Sequence, residues 1–416
     1  MFTRPAYTER LRGFIDKPLI KVITGIRRCG KSTLLLLFQE AVLEHTDKNH
    51  TIFMNFEDAA FDSILDYRNL NDYLAAKMTG DGRYYIFLDE IQIVEQWEKS
   101  VNSLRLKNTD IYITGSNSRL LSSELATLLA GRYVAFHLHT LSFAEFIDFR
   151  RQSGLSLTGA AKAGGIADAG GELDTFIETG GFPVLSANSF SPQEARQIVM
   201  DINSSAVLRD VVQRNGVRNT QLLEKIIAFL YDNTGNPLSI KRISDYLKTQ
   251  KRNADFETVY NYISYLESAF IIYRAPRYDI KGKRLLETTE KYYLADHSLQ
   301  YAVRGIRQEN IGGILENIVF MELIRRSYRV YVGKLDTREI DFVAEKINGP
   351  GRLYVQVTVS YANPETRERE FSPLRAIKDH WPKMVVSLDK WQSEEQGVTG
   401  IHLKDFLLKP ESTSSP

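Results

Sequence analysis

The stretch LIKVITGIRRCGKSTLLLLFQEAVLE, residues 19–44, constrains the chain more than any other. Leu19–Thr24 is an apolar, β-branched run of the kind that forms a buried strand, and Leu34–Phe38 is apolar at the start of a helix. Between them lies Gly25-x-x-x-x-Gly30-Lys31-Ser32, a phosphate-loop spacing in the strand–loop–helix context that gives the spacing its meaning. Gly25 and Gly30 let the backbone turn its N–H groups inward around phosphate oxygens. The first helical turn adds unpaired N–H groups and a positive dipole end. Lys31 is placed to reach the β- and γ-phosphates, Ser32 to ligate Mg²⁺ through its hydroxyl, and Thr33 to contact the α-phosphate. Cys29 lies inside the loop, either as a small filler or as a thiol acidified by the helix N-terminus.

RYYIFLDEIQ, residues 83–92, supplies a second strand that ends in Asp89-Glu90, about sixty residues after the loop. Asp89 is placed to hold Mg²⁺ through water, and Glu90 to orient and deprotonate an attacking water. The adjacent Glu favours ATP hydrolysis over a GTP switch. DIYITGSNSRLL, from Asp110, is a further strand whose polar end is Thr114-Gly115-Ser116-Asn117. These either sense the γ-phosphate or cap a helix starting near Arg119. Arg132, in LAGRYVAFHLHTLSFAEF, sits between a helix and a strand, where it is either an arginine finger or a solvated turn residue. His137 and His139 alternate along that strand without a nearby carboxylate, which suits a structural role better than a metal pair.

These segments together resemble the prokaryotic AAA-type P-loop ATPases with a C-terminal winged helix and a restriction-endonuclease-like, PD-(D/E)XK-type domain. The resemblance rests on ITGIRRCGKST, IFLDEIQ, ITGSNS, LAGRYVAFHLHTLSFAEF, GGFP, KYYLADHSL, LENIVFMEL and EIDFV, and so covers nearly the whole chain. It implies an ATPase with a nucleic-acid or protein-linked role, and it assigns Arg132 to nucleotide sensing. It supplies no substrate.

The implied fold class is α/β: a P-loop NTPase three-layer sandwich, then an all-α and winged-helix region, then a restriction-endonuclease-like α/β domain. Boundaries are expected at 1–150 for the ATPase, 151–220 for a Gly/Ala-rich loop (157–172) and helical connector, 221–309 for the winged helix, 310–405 for the nuclease-like domain, and 406–416 for a disordered tail. A chain of 416 residues is too long for one core, so several domains are expected. No apolar run is long enough to span a bilayer, and a single cysteine forms no intramolecular disulfide, so a cytoplasmic protein is expected. The net charge of +1 gives no global attraction to nucleic acid, so any such binding must be local.

The third helix of the winged-helix segment, FETVYNYISYLESAF, offers Glu257, Asn261 and Glu267 but no Arg or Lys on its polar face. That disfavours base reading and leaves open a scaffold role. The following ribbon offers Arg274, Arg277, Lys281, Lys283 and Arg284 as phosphate contacts. In the last segment Glu316 and Asp341 match the first acidic positions of a metal-dependent nuclease, but Gln356-Val357-Thr358 stands where Glu-x-Lys is needed. Gln brings no charge to a metal and Thr cannot stabilise the attacking hydroxide. Arg369 or Lys378 is the candidate substitute cation, and the expected outcome is a nuclease fold retained for binding or assembly. The function expected is Mg-dependent ATP hydrolysis on or near nucleic acid, with homo-oligomerisation allowing Arg132 to act across subunits. The competing reading is an ATP-dependent switch or assembly protein acting on a protein partner.

Overall fold

A computed structural model of the chain describes residues 2–118, 129, 131–155, 169–249, 255–304 and 311–409. They pack as two units, Met1–Thr140 with Ser268–Phe270, and Leu141–Glu267 with Ile271–Pro416. The helix expected near Arg119 and residues 157–168 of the Gly/Ala-rich loop lie outside the described residues. No described helix is long and apolar enough to cross a membrane.

The first unit opens with helix α1 (Pro5–Arg12), then β1 (Ile20–Thr24) and α2 (Lys31–Leu43). Next come β2 (Thr51–Asn55), α3 (Tyr67–Lys77), β3 (Tyr84–Asp89), α4 (Trp97–Arg105), β4 (Thr109–Gly115) and β5 (Tyr133–His137). The five strands form one parallel sheet in the order β2-β3-β4-β1-β5. β1 and β3 are buried at every position, as parallel strands covered on both faces must be. β4 lies between them, so the loop after β1 and the acidic end of β3 open at the same edge of the sheet. Ligands of open parallel sheets bind at that carboxyl edge. Across the core, Tyr112 of β4 stacks on Phe87 of β3 at 4.8 Å and meets Phe38 of α2 at 5.2 Å.

One charge interrupts the apolar run of β1. Lys21 is fully buried and pairs with the equally buried Asp110 of β4, which also accepts from the Tyr112 hydroxyl at 2.8 Å. Burial lowers the Lys21 pKa, and the Asp110 carboxylate opposes that shift. A buried charge persists only when paired in this way.

The second unit begins earlier than the expected boundary at 150. α5 (Phe143–Gln152) starts at a capping box between Ser142 and Glu145. Its Phe143 and Phe146 pack against Phe176, 5.4 and 5.2 Å between ring centres, which draws residues 141–149 out of the first unit. α6 (Ala169–Thr179) likewise begins inside the stretch expected to be a loop, because Leu173, Phe176 and Ile177 bury one helical face despite the preceding glycines. Phe182, in the Gly-Gly-Phe-Pro turn, is fully buried. Gly180 of that turn has φ +83°, and a Cβ there would meet Asp296 Oδ1 at 2.1 Å. Helices α7 (Pro183–Ala187), α8 (Pro192–Ala206), α9 (Thr220–Asp232), α10 (Ile240–Thr249) and α11 (Phe256–Ser268) follow, with a π-helical segment at Val207–Gln213 after α8.

An eight-stranded mixed sheet organises the remainder. It contains β6 (Ile272–Asp279), β7 (Arg284–Leu294), β8 (Tyr328–Leu335), β9 (Arg338–Lys346), β10 (Arg352–Val357), β11 (Lys383–Ser387), β12 (Ser393–Glu395) and β13 (Val398–His402). Helices α12 (Ser298–Arg304), α13 (Ile311–Arg325), α14 (Pro364–Arg375) and α15 (Leu403–Leu408) complete the unit. The strand order is β12-β13-β11-β10-β9-β8-β6-β7. The β6–β7 ribbon therefore is not free-standing: β6 pairs in parallel with β8 from Arg277–Val332 to Asp279–Lys334. One sheet spans the segments expected on either side of residue 309. Phe406 and Leu407 of α15 are buried within the stretch expected as a tail from residue 406, and residues 410–416 lie outside the described residues.

Candidate active site

The loop between β1 and α2 is shaped by its glycines. Gly25 has φ +152°, and a Cβ on it would lie 2.1 Å from the Leu138 carbonyl oxygen and 2.9 Å from Cys29 Sγ. Gly30 has φ +100° and is the last residue before α2, so the helix opens directly into the loop. Lys31 opens α2 with its side chain folded back under the loop. Its ammonium donates to the Gly25 and Ile26 carbonyl oxygens at 3.2 and 3.3 Å and lies 3.7 Å from Glu90 Oε1. The Lys31 and Glu90 side chains are both buried.

The acidic end of β3 meets this loop. The Ser32 hydroxyl hydrogen-bonds Asp89, whose Oδ1 also accepts from Thr114 Oγ1 at 2.5 Å. Burial raises the Asp89 pKa, and the bonds from Thr114 and Ser32 counter that shift. Glu90 takes a left-handed backbone, φ 51°, which turns it off the strand end. Its N–H donates to Thr114 Oγ1 at 2.9 Å, and Gln92 Nε2 donates to its Oε2. A hydroxyl and a carboxylate side by side suit Mg²⁺, which keeps several waters and takes one or two carboxylates with substrate phosphates. Among the described residues no group of three or more His, Cys, Asp or Glu side chains is arranged to hold a metal ion. A nucleotide-borne Mg²⁺ does not need one.

Of the remaining sequence-derived positions, Ser116 and Asn117 are buried just past the end of β4. Thr114, within β4 itself, is the residue of that strand bonded to both Asp89 and Glu90. Arg132 is exposed immediately before β5, its carbonyl oxygen accepting from Ile20 N–H at 2.9 Å. Thr33 follows Ser32 in the first turn of α2. Cys29 is the filler rather than the reactive thiol: it is fully buried, and burial pushes its pKa up. Its N–H donates to the Ile26 carbonyl at 3.3 Å. Sequence reasoning missed Arg4, which is buried and donates from Nη1 to the carbonyl oxygens of His139 at 2.7 Å and Cys29 at 3.4 Å. A lone Arg before the Pro of α1 gives no signal of that role.

His137 and His139 meet edge to face at 4.4 Å, and His137 also packs on Phe270 at 4.4 Å and bonds through Nδ1 to Thr24 Oγ1 at 3.2 Å. Burial, then the Lys31 charge, lowers the His137 pKa from 6.5 to about 4. Between these values the unfolded chain binds a proton that the folded one refuses. The stability contributed is therefore complete above pH 6.5 and lost as pH falls toward 4. Allowing for partial solvent access, the loss should be about 2–3 kcal/mol. The thermal unfolding midpoint of the full chain, followed from pH 7 to 4, is expected to fall less steeply in His137→Gln. Parallel acid limbs would remove His137 as a cause.

The second sequence-derived cluster lies in the other unit, in a cleft of about 820 Å³ whose lining includes Glu316, Glu339, Asp341, Gln356, Thr358, Arg369 and Glu370. Asp341 Oδ2 accepts from Val357 N–H at 2.9 Å, and Gln356 Oε1 accepts from Asp341 N–H at 3.3 Å. Thr358 Oγ1 donates to the Ser360 carbonyl at 3.4 Å. Neither proposed substitute cation reaches the acids at 316 and 341. Arg369 is bound to Glu370 at 2.6 Å, and Lys378 is exposed away from the cleft lining. The cation found there is Lys291 of β7, which sequence reasoning left unassigned. Its ammonium lies 3.2, 3.0 and 3.3 Å from Glu316, Glu339 and Asp341.

On the β6–β7 ribbon, Arg274 pairs with Glu267 and Glu290, Arg277 with Glu339, and Lys281 with Asp336. Lys283 and Arg284 are exposed and form no ion pair among the described residues. The five-cation patch thus reduces to two uncommitted charges.

Comparison with known proteins bears on both units. A family model described as an AAA domain matches residues 17–147, and one described as a domain of unknown function (DUF8612) matches residues 170–310. An uncharacterized protein of Haemophilus influenzae is 38% identical over 413 residues, covering 98% of this chain and 99% of its own. The chain belongs to the same family as that protein. This AAA-domain family extends to the uncharacterized protein MJ1544 of Methanocaldococcus jannaschii, 32% identical over 366 residues, 86% of this chain and 79% of that one. With the parallel sheet and its loop, the match makes the first unit an AAA-type P-loop domain. Among solved structures, the ORC1 protein of Aeropyrum pernix in complex with DNA aligns over 73% of this chain and 92% of that one, at 16% identity and a TM-score of 0.36. AMPPCP-bound DnaA of Aquifex aeolicus aligns over 63% and 86%, at 14% identity and a TM-score of 0.33. Backbone agreement that low carries no argument about DNA or partners.

Proposed function

We propose that the protein binds ATP with Mg²⁺ in the first unit and hydrolyses it there. The observation that carries this is the meeting of Ser32, Asp89, Glu90 and Lys31 at one sheet edge, linked through the Thr114 hydroxyl. Gly25, Cys29 and Gly30 shape the loop that cradles the phosphates, and Thr33 contacts the α-phosphate. Lys31 draws charge from the β- and γ-phosphates, and Ser32 and Asp89 hold the ion that neutralises them. Glu90 orients and deprotonates water. Ser116 and Asn117, with Thr114, sense the γ-phosphate. Arg132 supplies a positive charge to the γ-phosphate, from a second copy of the chain if the protein oligomerises. Phosphate release from ATP by the purified full chain, with Mg²⁺ and with Mg²⁺ removed by chelation, tests the reading. No Mg²⁺-dependent release above a no-protein blank would defeat it.

We read helices α9–α11 with the β6–β7 ribbon as a winged helix, and the remainder of the second unit as a nuclease-like fold without nuclease chemistry. The work driven by ATP is done on or near nucleic acid, through Lys283 and Arg284. Titration with DNA or RNA at low salt is expected to show binding that weakens steeply with salt. Replacing Lys283 and Arg284 by Ala should reduce the log–log salt slope by roughly one for each phosphate that is no longer neutralised. Binding indifferent to both substitutions would end that reading. The alternative, a switch acting on a protein partner, is favoured by a separate observation: α11 exposes Phe256 (59%) and Tyr260 (50%), one helical turn apart. Apolar rings on a helix face suit a protein surface better than a phosphate backbone.

A further inference from the structure

The carboxylates of the second unit carry an inference that does not depend on the ATPase reading. Glu339 and Asp341 are two residues apart on β9 and so face the same side of the sheet. Glu316 comes to them from α13, and Tyr293 of β7 donates to its Oε2 at 3.0 Å. Lys291, two residues before Tyr293 and only 2% exposed, points its ammonium into the middle of the three acids. An ammonium has three donors, and here there is one carboxylate for each, at 3.0–3.3 Å.

A divalent ion at such a cluster would stand about 2.0–2.6 Å from the same oxygens, in the space the ammonium fills. The resemblance carried by the sequence is to a fold that uses a metal at this point, but the residues present do not fit one. The acids at 316 and 341 are present, the position at 356 is an uncharged Gln, and a tethered cation already occupies the point between the carboxylates. We propose that Lys291 takes the place of the metal ion, so that the cluster is a closed ionic joint between β7, α13 and β9 that excludes divalent cations. A lysine cannot dissociate or be chelated, and it cannot act as a Lewis acid on a bound water. The cluster then binds the edge ribbon to the rest of its unit, and phosphodiester cleavage has no hydroxide source there. The joint also reaches the turn after α9, where a Cβ at Gly235 would come within 3.0 Å of Glu316 Oε2.

The test is Mn²⁺ binding, followed by electron paramagnetic resonance on nucleotide-free full-length protein. An Asp89→Asn background removes the carboxylate proposed to hold Mg²⁺ in the first unit. That parent should bind Mn²⁺ no better than its Asp341→Asn derivative. Lys291→Met keeps most of the stem and removes the charge, and should create a Mn²⁺ site at least roughly tenfold tighter than any in the parent, about 1.4 kcal/mol. The new site should vanish when Asp341→Asn is added. Mn²⁺ should also raise the unfolding temperature of Lys291→Met but not of the parent. If Lys291→Met does not fold, the parent comparison alone decides: equal binding in the parent and in Asp341→Asn supports the joint. A Mn²⁺ site in the parent that Asp341→Asn abolishes overturns the proposal, as does a folded Lys291→Met that gains none.

Discussion

Lys31→Ala is expected to abolish ATP turnover and to weaken nucleotide binding, the largest single effect foreseen for this chain. The ammonium is held inside the loop, 3.2 and 3.3 Å from the Gly25 and Ile26 carbonyls. Those carbonyls hold the charge inside the loop, where the proposed function brings phosphate oxygens. Charge-assisted hydrogen bonds of this kind are worth about 1.5–3 kcal/mol each in the ground state. They are worth more where charge builds in the transition state, so a fall in turnover of at least roughly a thousandfold is expected. Binding should drop with it, because on the proposed reading the same ammonium also contacts the phosphates of bound ATP. The fold should survive: Gly25 and Gly30 keep their backbone turns, and Asp89 keeps the bonds from Ser32 and Thr114. Equilibrium binding of a fluorescent ATP analogue, beside the rate of phosphate release, checks both parts. Turnover within a few fold of the natural protein would remove Lys31 from the site.

What was legible in the sequence, and what was not, divides along a physical line. The phosphate loop was legible because its function depends on local backbone geometry, and Gly25, Gly30, Lys31 and Ser32 are consecutive enough to show it. Asp89-Glu90 was legible because an apolar strand that ends in two acids is a local pattern as well. Thr114 was harder. A threonine at a strand end has many uses, and only the placing of β4 between β1 and β3 sets its hydroxyl between Asp89 and Glu90. Arg4 was not readable at all, since its partners are the carbonyls of Cys29 and His139, groups that every residue carries. Lys291 failed for a similar reason. Arg369 and Lys378 lie soon after β10 in sequence, where spacing is informative. The cation came from β7, near in space and 50 residues from Asp341 in sequence. Across the expected boundaries at 150 and 309 the packing is continuous, and no local pattern shows it: Phe143 and Phe146 pack on Phe176, and β6 pairs with β8.

Glu90→Gln should separate binding from chemistry in a way Lys31→Ala cannot. Glutamine keeps the length of the side chain and an oxygen that accepts from Gln92, and the bond from the residue's N–H to Thr114 Oγ1 is untouched. It loses the negative charge and the ability to take a proton. A positioned general base contributes typically 10²–10⁴-fold, so steady-state turnover should fall by about that factor. Affinity should hold or rise, because the acid 3.7 Å from Lys31 no longer competes with phosphate oxygens for its charge. The expected signature is therefore opposite in its two halves: slow hydrolysis, and ATP retained on the protein through gel filtration in unhydrolysed form. The alternative base is Asp89, but it is already bonded to Ser32 and Thr114. If Glu90→Gln turns ATP over at the natural rate, Glu90 is not the base and its pairing with Lys31 is structural. If it neither binds nor hydrolyses, the pair holds the loop open and the charge at 90 is needed for binding. Only slow hydrolysis with retained ATP assigns Glu90 to the water.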